Sequence, residues 1–266
     1  MSDVGPPPPH APLPPPNAAS PTAAPSVILL IIQILLGIFL VFTLLVLPVT
    51  GAIVGLDGAQ DSVATNDTVQ TSAAALFIST IIFQFVQGSY PLLSSLRRDS
   101  TIKRDWRFAA EWPTDIGYGV GLAFACLVAA QALTVGVARL VGLGDSDDAA
   151  NTDILTDNQG SIWIVGIVVL VVVGAPLAEE LLFRGYLLRT LEKYIGGVLA
   201  IVLSSFLFAI PHWQPGATWQ ETAVLLTALG GVGLVLAIGA VLTDRLAPSI
   251  IAHAIFNGVG TFATLI

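Results

Sequence analysis

The fold of this chain is set by residues 162–182, which read IWIVGIVVLVVVGAPLAEELL. The run is long and apolar enough to cross a membrane as a helix, yet Glu179 and Glu180 interrupt it near its end. A carboxylate at membrane depth costs several kcal/mol on insertion scales, so a chain keeps one only where other groups compensate it. Two histidines and an asparagine in later apolar segments, His212, His253 and Asn257, are the expected partners. The pattern predicts a functional site inside the membrane.

The composition indicates an integral membrane protein. Of the 266 residues, 55% are hydrophobic and only 11% are charged, against about 25% charged residues in ordinary soluble domains. The net charge of −8 and the lack of a basic patch speak against a nucleic-acid partner. Cys126 is the only cysteine, which excludes an intrachain disulfide and a CxxC metal or redox site. The lipid bilayer is therefore the expected surrounding of this chain.

The apolar segments divide the chain into a tail, an N-terminal group of helices and a core. Residues 1–26 hold ten of the seventeen prolines and predict a disordered tail. Residues 27–157 are expected to form transmembrane helices, and residues 158–266 the core that carries the polar groups. The fold class is all-α, a polytopic bundle of about seven spans with the site between the fourth, fifth and seventh. The spans are expected near residues 27–49, 72–96, 114–141, 161–189, 195–212, 222–242 and 246–266. The second is the weakest, because Gln84, Gln87 and Pro91 interrupt it.

Charged residues between the spans predict the orientation in the cell membrane. Basic residues collect in loops that seven spans place on one side, and acidic residues collect in the opposite loops. By the positive-inside rule, the basic loops and the N-terminus of this multi-pass protein lie in the cytoplasm. The basic residues in question are Arg97, Arg98, Lys103, Arg104, Arg107, Arg189, Lys193 and Arg245.

Spacing brings four polar side chains to one level of the bundle. Glu179 and His212 are equally distant from a turn predicted at residues 195–197, and antiparallel helices joined by a short turn pair such residues. His253 and Asn257 are four residues apart, so they share one face of the last helix. The sequence therefore predicts that three helices contribute to one small cavity in the cytoplasmic half of the bilayer.

The two glutamates are expected to have different roles. Adjacent residues on a helix point about 100° apart, so Glu179 and Glu180 cannot face the same spot. Glu180 is followed four residues later by Arg184, which is the favourable order for an ion pair. Glu180 and Arg184 are thus predicted to support the site, and Glu179 is left to face the cavity. Pro176 is predicted to remove a hydrogen bond to the Val172 carbonyl and to kink the helix just above the two glutamates.

These residue types suit the hydrolysis of a peptide by an activated water. Glu179 would take a proton from the water, while His212 holds or polarises it. His253 and Asn257 would donate hydrogen bonds to the developing oxyanion, and Phe208 would pack at the wall of the cavity. A zinc ion held by Glu179, His212 and His253 is the alternative, because two histidines and a glutamate match a catalytic zinc shell. No HExxH motif is present.

Three motifs in separate apolar spans resemble those of the CPBP family. They are Glu179-Glu180-Leu-Leu-Phe-Arg184, Phe208-Ala-Ile-Pro-His212 and His253-Ala-Ile-Phe-Asn257, which match the patterns EExxxR, FxxxH and HxxxN. The family includes type II CAAX prenyl endopeptidases and bacteriocin-processing or lysostaphin-resistance-like membrane proteins. The resemblance covers roughly residues 158–262 and implies an intramembrane endopeptidase whose site opens toward the cytoplasm. It also implies that Glu179 is the catalytic glutamate, and that His212, His253 and Asn257 hold the water and the oxyanion.

Two other functions are compatible with the same residues. A bacteriocin-immunity factor or scaffold of this fold would need no catalysis. A proton-coupled transporter would use the glutamates and histidines as a proton relay, although no internal repeat of the kind that many transporters carry is visible. The expected partner of the endopeptidase is a peptide or membrane-protein substrate. The sequence leaves the prenylation of that substrate, the metal dependence and the oligomeric state open.

Overall fold

The computed structural model of the chain describes residues 66–96, 110–143, 161–214 and 217–265. Within these ranges the regular structure is entirely helical, as the sequence predicts. The predicted tail at 1–26 and the first predicted span at 27–49 lie outside the described residues. The helices are α1 (Asn66–Leu96), α2 (Thr114–Val141), α3 (Ile164–Ile195), α4 (Gly197–Ala209, continued by a 3-10 turn at Ile210–His212), α5 (Trp219–Thr243) and α6 (Ala247–Leu265).

Three of the described helices, α2, α3 and α5, are long and apolar enough to cross a membrane. The apolar parts of α1 and α4 are shorter, so the count of seven spans stays a prediction. Helix α5 begins at Trp219 and not at 222, because Thr218 and Glu221 cap its first turn. The Thr218 hydroxyl accepts from the Glu221 amide, and the Glu221 carboxylate accepts from the Thr218 amide. The Thr-x-x-Glu pattern of this capping box is visible in the sequence and marks the start of the helix.

Helix α3 is the central element of the described bundle. It packs against α1, α4, α5 and α6, while α2 lies along the far side of α5 and α6. Apolar side chains fill the space between α3, α4 and α5, and a second cluster joins α2, α5 and α6. The first cluster includes Leu182, Phe183, Leu187, Leu188, Leu191, Phe208 and Ala237, and the second includes Ala123, Cys126, Val232, Leu236 and Ala252.

Two glycines permit the close approach and the sharp turn that this packing needs. A β-carbon at Gly119 of α2 would lie 2.6 Å from Ile251 Cγ2 of α6, so a larger residue would force the two helices apart. Gly196 has a φ of +79° and ends α3, so that α4 begins at the next residue. The predicted turn at 195–197 is therefore confirmed. Helix α3 runs to Ile195, beyond the expected end at 189.

Ion pairs tie three helix ends together at one end of the bundle. Arg245, in the turn between α5 and α6, donates from Nε to Asp115 Oδ1 at 2.8 Å, near the start of α2. That hydrogen bond raises the pKa of Arg245 above its ordinary value, so the guanidinium keeps its charge. Arg189 of α3 lies 3.5 Å from Asp244 in the same turn and donates to the Ala240 carbonyl. The last turns of α3 and the start of α2 thus both lie beside the α5–α6 turn.

Helix α3 is not a regular α-helix through its length. The turns Leu170–Gly174 and Leu181–Leu188 are π-helical, and Ala175–Glu180 between them is α-helical. In the first π turn the Ala175 amide bonds to the Leu170 carbonyl, five residues back. The sequence predicted that Pro176 frees the carbonyl of Val172, four residues back. Under the observed five-residue spacing, the carbonyl that lacks its amide partner is that of Val171, and this corrects the prediction.

Candidate active site

Glu180 is fully buried in α3 and lies at the centre of a polar cluster. Its Oε1 atom accepts a hydrogen bond from Arg184 Nη1 at 2.7 Å, so the ion pair predicted from the four-residue spacing is present. The same atom lies 3.0 Å from His253 Nδ1 of α6. Because a carboxylate only accepts hydrogen bonds, Nδ1 must carry the proton in that contact. Glu180 therefore neutralises Arg184 and orients the His253 ring.

The Arg184 guanidinium is held on all sides by the protein. It is 1% exposed, donates from Nη2 to the Gly233 carbonyl of α5 at 3.0 Å, and lies 4.3 Å from the centre of the Phe208 ring. A buried charge is tolerated only when it is paired and hydrogen-bonded. Arg184 meets that condition through contacts to α3, α4 and α5 together.

Glu179 faces a different direction from its neighbour. Its side chain is buried, and Oε2 has no hydrogen-bond partner among the described residues. The nearest ionisable partner is His253, whose Nε2 lies 3.9 Å from Glu179 Oε2. That separation is too long for a direct hydrogen bond. Glu179 is therefore a desolvated acceptor beside the one ring nitrogen of His253 that Glu180 leaves unoccupied.

Phe208 joins the two imidazoles of the predicted site. The Phe208 ring is buried, with its centre 5.4 Å from that of His212 and 5.6 Å from that of His253. His212 sits on the 3-10 turn at the end of α4, and its Nδ1 donates to the Phe208 carbonyl at 3.2 Å. This bond leaves His212 Nε2 as the nitrogen that can act on a ligand. Phe208 thus spaces the imidazoles of α4 and α6 around one apolar ring.

Asn257 is attached to the irregular turn of α3. Its Nδ2 donates to the Val171 carbonyl at 2.8 Å, the carbonyl that Pro176 leaves without an amide partner. Because Nδ2 carries two hydrogens, one N–H of Asn257 remains for a further acceptor. No hydrogen bond within the described residues joins Asn257 or His212 to Glu179. Direct contacts thus connect six of the site residues, and Asn257 flanks this group. The six are Glu179, Glu180, Arg184, Phe208, His212 and His253.

Sequence reasoning missed the contribution of α1 to this site. Gln84 and Gln87 were expected to weaken the second span, yet both are buried inside a continuous helix. Gln84 Nε2 donates to the Leu170 carbonyl of the π turn at 3.1 Å. The signal that could have found it is the pair of amide side chains in an otherwise apolar helix, since such residues bind other helices in membranes.

The described residues do not fit the zinc site considered from the sequence. No group of three or more His, Cys, Asp or Glu side chains within the described ranges is arranged to hold a metal ion. Of the three expected ligands, only Glu179 and His253 approach each other. The Nδ1 atom of His253 is occupied by Glu180.

Comparison with known families identifies the core of the chain. Residues 161–259 match the family model of the type II CAAX prenyl endopeptidase Rce1-like proteins. The resemblance of the three motifs to the CPBP family is confirmed over this segment. The matched segment runs from the start of α3 into α6 and contains all three motifs. No curated protein and no solved structure was found to match the chain.

The CPBP match and the apolar helices agree on the class of protein. The family is one of membrane proteases, and three described helices have the length and hydropathy of membrane spans. The chain is a multi-pass membrane protein with a CAAX-protease-like core, for which peptides or proteins are the substrate class. Helices α1 and α2 lie outside the matched segment, although both pack against helices within it.

Proposed function

We propose that this CPBP protein is an intramembrane endopeptidase in which Glu179 activates the water that hydrolyses a peptide bond. The observation that carries the proposal is the buried Glu179 Oε2 atom, which has no hydrogen-bond partner and lies 3.9 Å from His253 Nε2. Two atoms at this separation can both bind one water, although they cannot bind each other. A water held there would touch the carboxylate that has to take its proton.

The neighbouring carboxylate has a positioning role in this proposal. Glu180 accepts from Arg184 and from His253 Nδ1, so its negative charge is compensated and its Oε1 atom is occupied. A general base needs a free lone pair facing the proton it removes. Glu179 Oε2 and Glu180 Oε2 both lack a hydrogen-bond partner among the described residues, but only Glu180 forms an ion pair with Arg184. Glu180 instead holds His253 with Nε2 turned toward the water site.

The reaction assigns each group one task. Glu179 takes a proton from the water, and the water oxygen attacks the carbonyl carbon of the substrate. The remaining N–H of Asn257 and a protonated Nε2 of His253 would donate hydrogen bonds to the carbonyl oxygen as it gains negative charge. His212, with Nδ1 bonded to the Phe208 carbonyl, offers Nε2 to hold the water. The proton on Glu179 then passes to the leaving amine nitrogen, and the C–N bond breaks.

We further propose that the site opens to the cytoplasm and accepts the C-terminal region of a membrane-attached peptide. The orientation rests on the basic residues Arg189 and Arg245, which the ion pairs hold at the same end of the bundle. The substrate class rests on the CAAX endopeptidase description of the matched family.

The test is cleavage by purified protein in proteoliposomes. The substrates are a quenched fluorescent peptide that ends in a farnesylated CAAX sequence and the same peptide without the farnesyl group. Glu179→Gln keeps the size and polarity of the side chain but cannot accept the proton. We expect it to lower kcat about a thousandfold, within the range for loss of a general base.

The matched control is Glu192→Gln, which removes a carboxylate from the same helix, where Glu192 pairs with Arg189 near the surface. We expect Glu192→Gln to keep wild-type activity, and both variants to unfold at wild-type temperatures. Cleavage should also persist after dialysis against EDTA and 1,10-phenanthroline. Equal cleavage by Glu179→Gln and wild-type protein would remove Glu179 as the base, and failure of the wild type to cleave either peptide would contradict the proposed function.

A further inference from the structure

Gln87 of α1 is a buried amide that the proposed mechanism does not use. Its side chain is 3% exposed, and Oε1 has no hydrogen-bond partner among the described residues. Leaving such an oxygen without a donor is costly, so a native structure keeps one only for a reason. Gln87 also lies outside the segment that matches the protease family. Its function must therefore be inferred from its surroundings.

The register between α1 and α3 places Gln87 beside the site. Gln84 donates to the Leu170 carbonyl, and a β-carbon built on Gly88 would lie 4.0 Å from Ala178 Cβ. Residues 84, 87 and 88 share one face of a helix, so Gln87 also lies on the α3 side of α1. Since Gly88 is level with Ala178, Gln87 lies less than one helical turn from the level of Glu179.

The direction of the Glu179 side chain follows from the contacts of its two neighbours on α3. Ala178 faces α1 at Gly88, and Glu180 faces α6 at His253. Glu179 lies between them along α3 and therefore points between α1 and α6, since each residue advances about 100° around the helix. Helices α1 and α6 each pack more closely on α3 than on one another. Glu179 is thus directed between α1 and α6, and Gln87 lies on α1 at nearly the same level.

We propose that Gln87 binds the substrate by accepting a hydrogen bond from one of its backbone N–H groups. This inference rests on the proposed endopeptidase function. A peptide that enters the site in an extended form brings N–H groups that need acceptors once water is excluded. Gln87 Oε1 is a buried acceptor that needs a donor. The two requirements are met by the same bond, which also explains why the amide is kept in an apolar helix.

The first experiment separates substrate binding from chemistry. Gln87→Leu removes the acceptor at similar volume. We expect KM for the quenched CAAX peptide to rise about tenfold, the typical effect of a lost hydrogen bond to a buried group, and kcat to stay within twofold, because the bond is made in the ground state as well. The thermal midpoint should stay equal or rise, since the substitution removes an unpartnered polar atom. A purely structural role for Gln87 predicts a lower midpoint.

The second experiment identifies the donor. Each backbone nitrogen of the CAAX peptide that flanks the scissile bond is methylated in turn, which removes one N–H per peptide. At one position, N-methylation should raise KM of the wild type about tenfold and leave KM of Gln87→Leu unchanged. This non-additivity is the signature of a direct contact between the amide and that N–H.

Ser79→Ala is the matched control on the same helix, because Ser79 is buried and bonds only within α1, to the Leu76 carbonyl. It should keep the wild-type KM. Cleavage by the wild type with an unchanged KM for Gln87→Leu would overturn the role of Gln87 and leave the protease function standing. If the wild type cleaves no peptide, the proposed function fails and the role of Gln87 fails with it. Equal cleavage by Glu179→Gln and the wild type would remove only the assignment of the base.

Discussion

At the scale of the residue, one carboxylate oxygen organises the candidate site. Glu180 Oε1 accepts from both Arg184 and His253, and all three side chains are buried. Two opposite charges removed from water are stable only if each stays paired. The three side chains are therefore expected to depend on one another. If one of the two charged groups is lost, the other stays buried without a partner and destabilises the fold.

Arg184→Met tests this unit, because it keeps much of the side-chain volume and removes the charge. Glu180 would be left as a buried carboxylate without its cation, so we expect the free energy of unfolding to fall by about 3–5 kcal/mol. The double variant Glu180→Met/Arg184→Met removes both charges and should regain most of that loss, but not the activity, since His253 Nδ1 would have no acceptor. Unfolding in detergent and peptide cleavage measure the two effects. A double variant as unstable as Arg184→Met would contradict the pairing.

The sequence predicted part of this unit and not the rest, for a physical reason. The pair of Glu180 and Arg184 is local, so its four-residue spacing on one helix was sufficient. The contact of Glu180 with His253 joins residues 73 positions apart. It depends on how α6 packs on α3, which no spacing along the chain encodes. His253 was accordingly predicted as an oxyanion donor, and its attachment to Glu180 was not foreseen.

At the scale of the element, a proline and an asparagine from different helices complete one turn of α3. Pro176 cannot supply an amide hydrogen, and under the π-helical spacing the deprived carbonyl is that of Val171. Asn257 donates to that carbonyl from α6. The side chain therefore takes the place of the missing backbone donor and fixes α6 against α3 within one turn of His253.

A double-mutant cycle tests this replacement. Asn257→Leu leaves the Val171 carbonyl without a donor, so we expect it to lower the free energy of unfolding by about 1–3 kcal/mol. Pro176→Ala restores a backbone N–H that can reach the same carbonyl. The loss in free energy of unfolding caused by Asn257→Leu should therefore be about 1 kcal/mol smaller in the Pro176→Ala protein. Strictly additive costs in thermal or denaturant unfolding would show that the two residues do not share one acceptor.

The helices of the core were predicted to within a few residues, while the irregular turns and the role of α1 were not. Long apolar runs and the breaker at Gly196 are local signals, and they placed α3 and α4. At the first π turn, Gln84 and Asn257 donate to the Leu170 and Val171 carbonyls from two other helices, and no spacing along the chain encodes these contacts. Gln84 was predicted to weaken its span because a polar amide lowers the hydropathy of an apolar segment that is considered in isolation. Its hydrogen bond to the Leu170 carbonyl forms only when α1 packs against α3.

At the scale of the whole molecule, the charged residues at the helix ends indicate how the helices are oriented across the membrane. Arg245 bonds to Asp115 at the start of α2, and Arg189 lies near Asp244 in the α5–α6 turn. Arg189 and Arg245, two of the basic residues that the sequence assigned to one side, therefore lie at one end of the described bundle, and those at positions 97–107 lie outside the described residues. Helix α3 reaches about 48 Å at 1.5 Å per residue over its 32 residues. The hydrocarbon layer is about 30 Å thick, so α3 must extend into water at one end or both.

Single-cysteine labelling tests whether the basic end is cytoplasmic. The background is Cys126→Ala, because Cys126 is the only cysteine and is buried. Lys193→Cys marks the basic end of α3, and Ile162→Cys marks the residue two positions before its start, both at exposed side chains. In intact cells, a membrane-impermeant maleimide should label the cysteine at 162 and reach the cysteine at 193 only after permeabilisation.

The two positions control each other, because one continuous helix joins them. The opposite labelling order would mean that the basic end faces outward, and the catalytic residues would then serve substrates from the other compartment. Labelling of both cysteines in intact cells would show that α3 does not cross the membrane. In the expected case, Glu179 lies about 24 Å from Ile195 along α3 at 1.5 Å per residue. The protruding end then brings the carboxylate into the cytoplasmic half of the bilayer, within reach of a chain anchored in the inner leaflet.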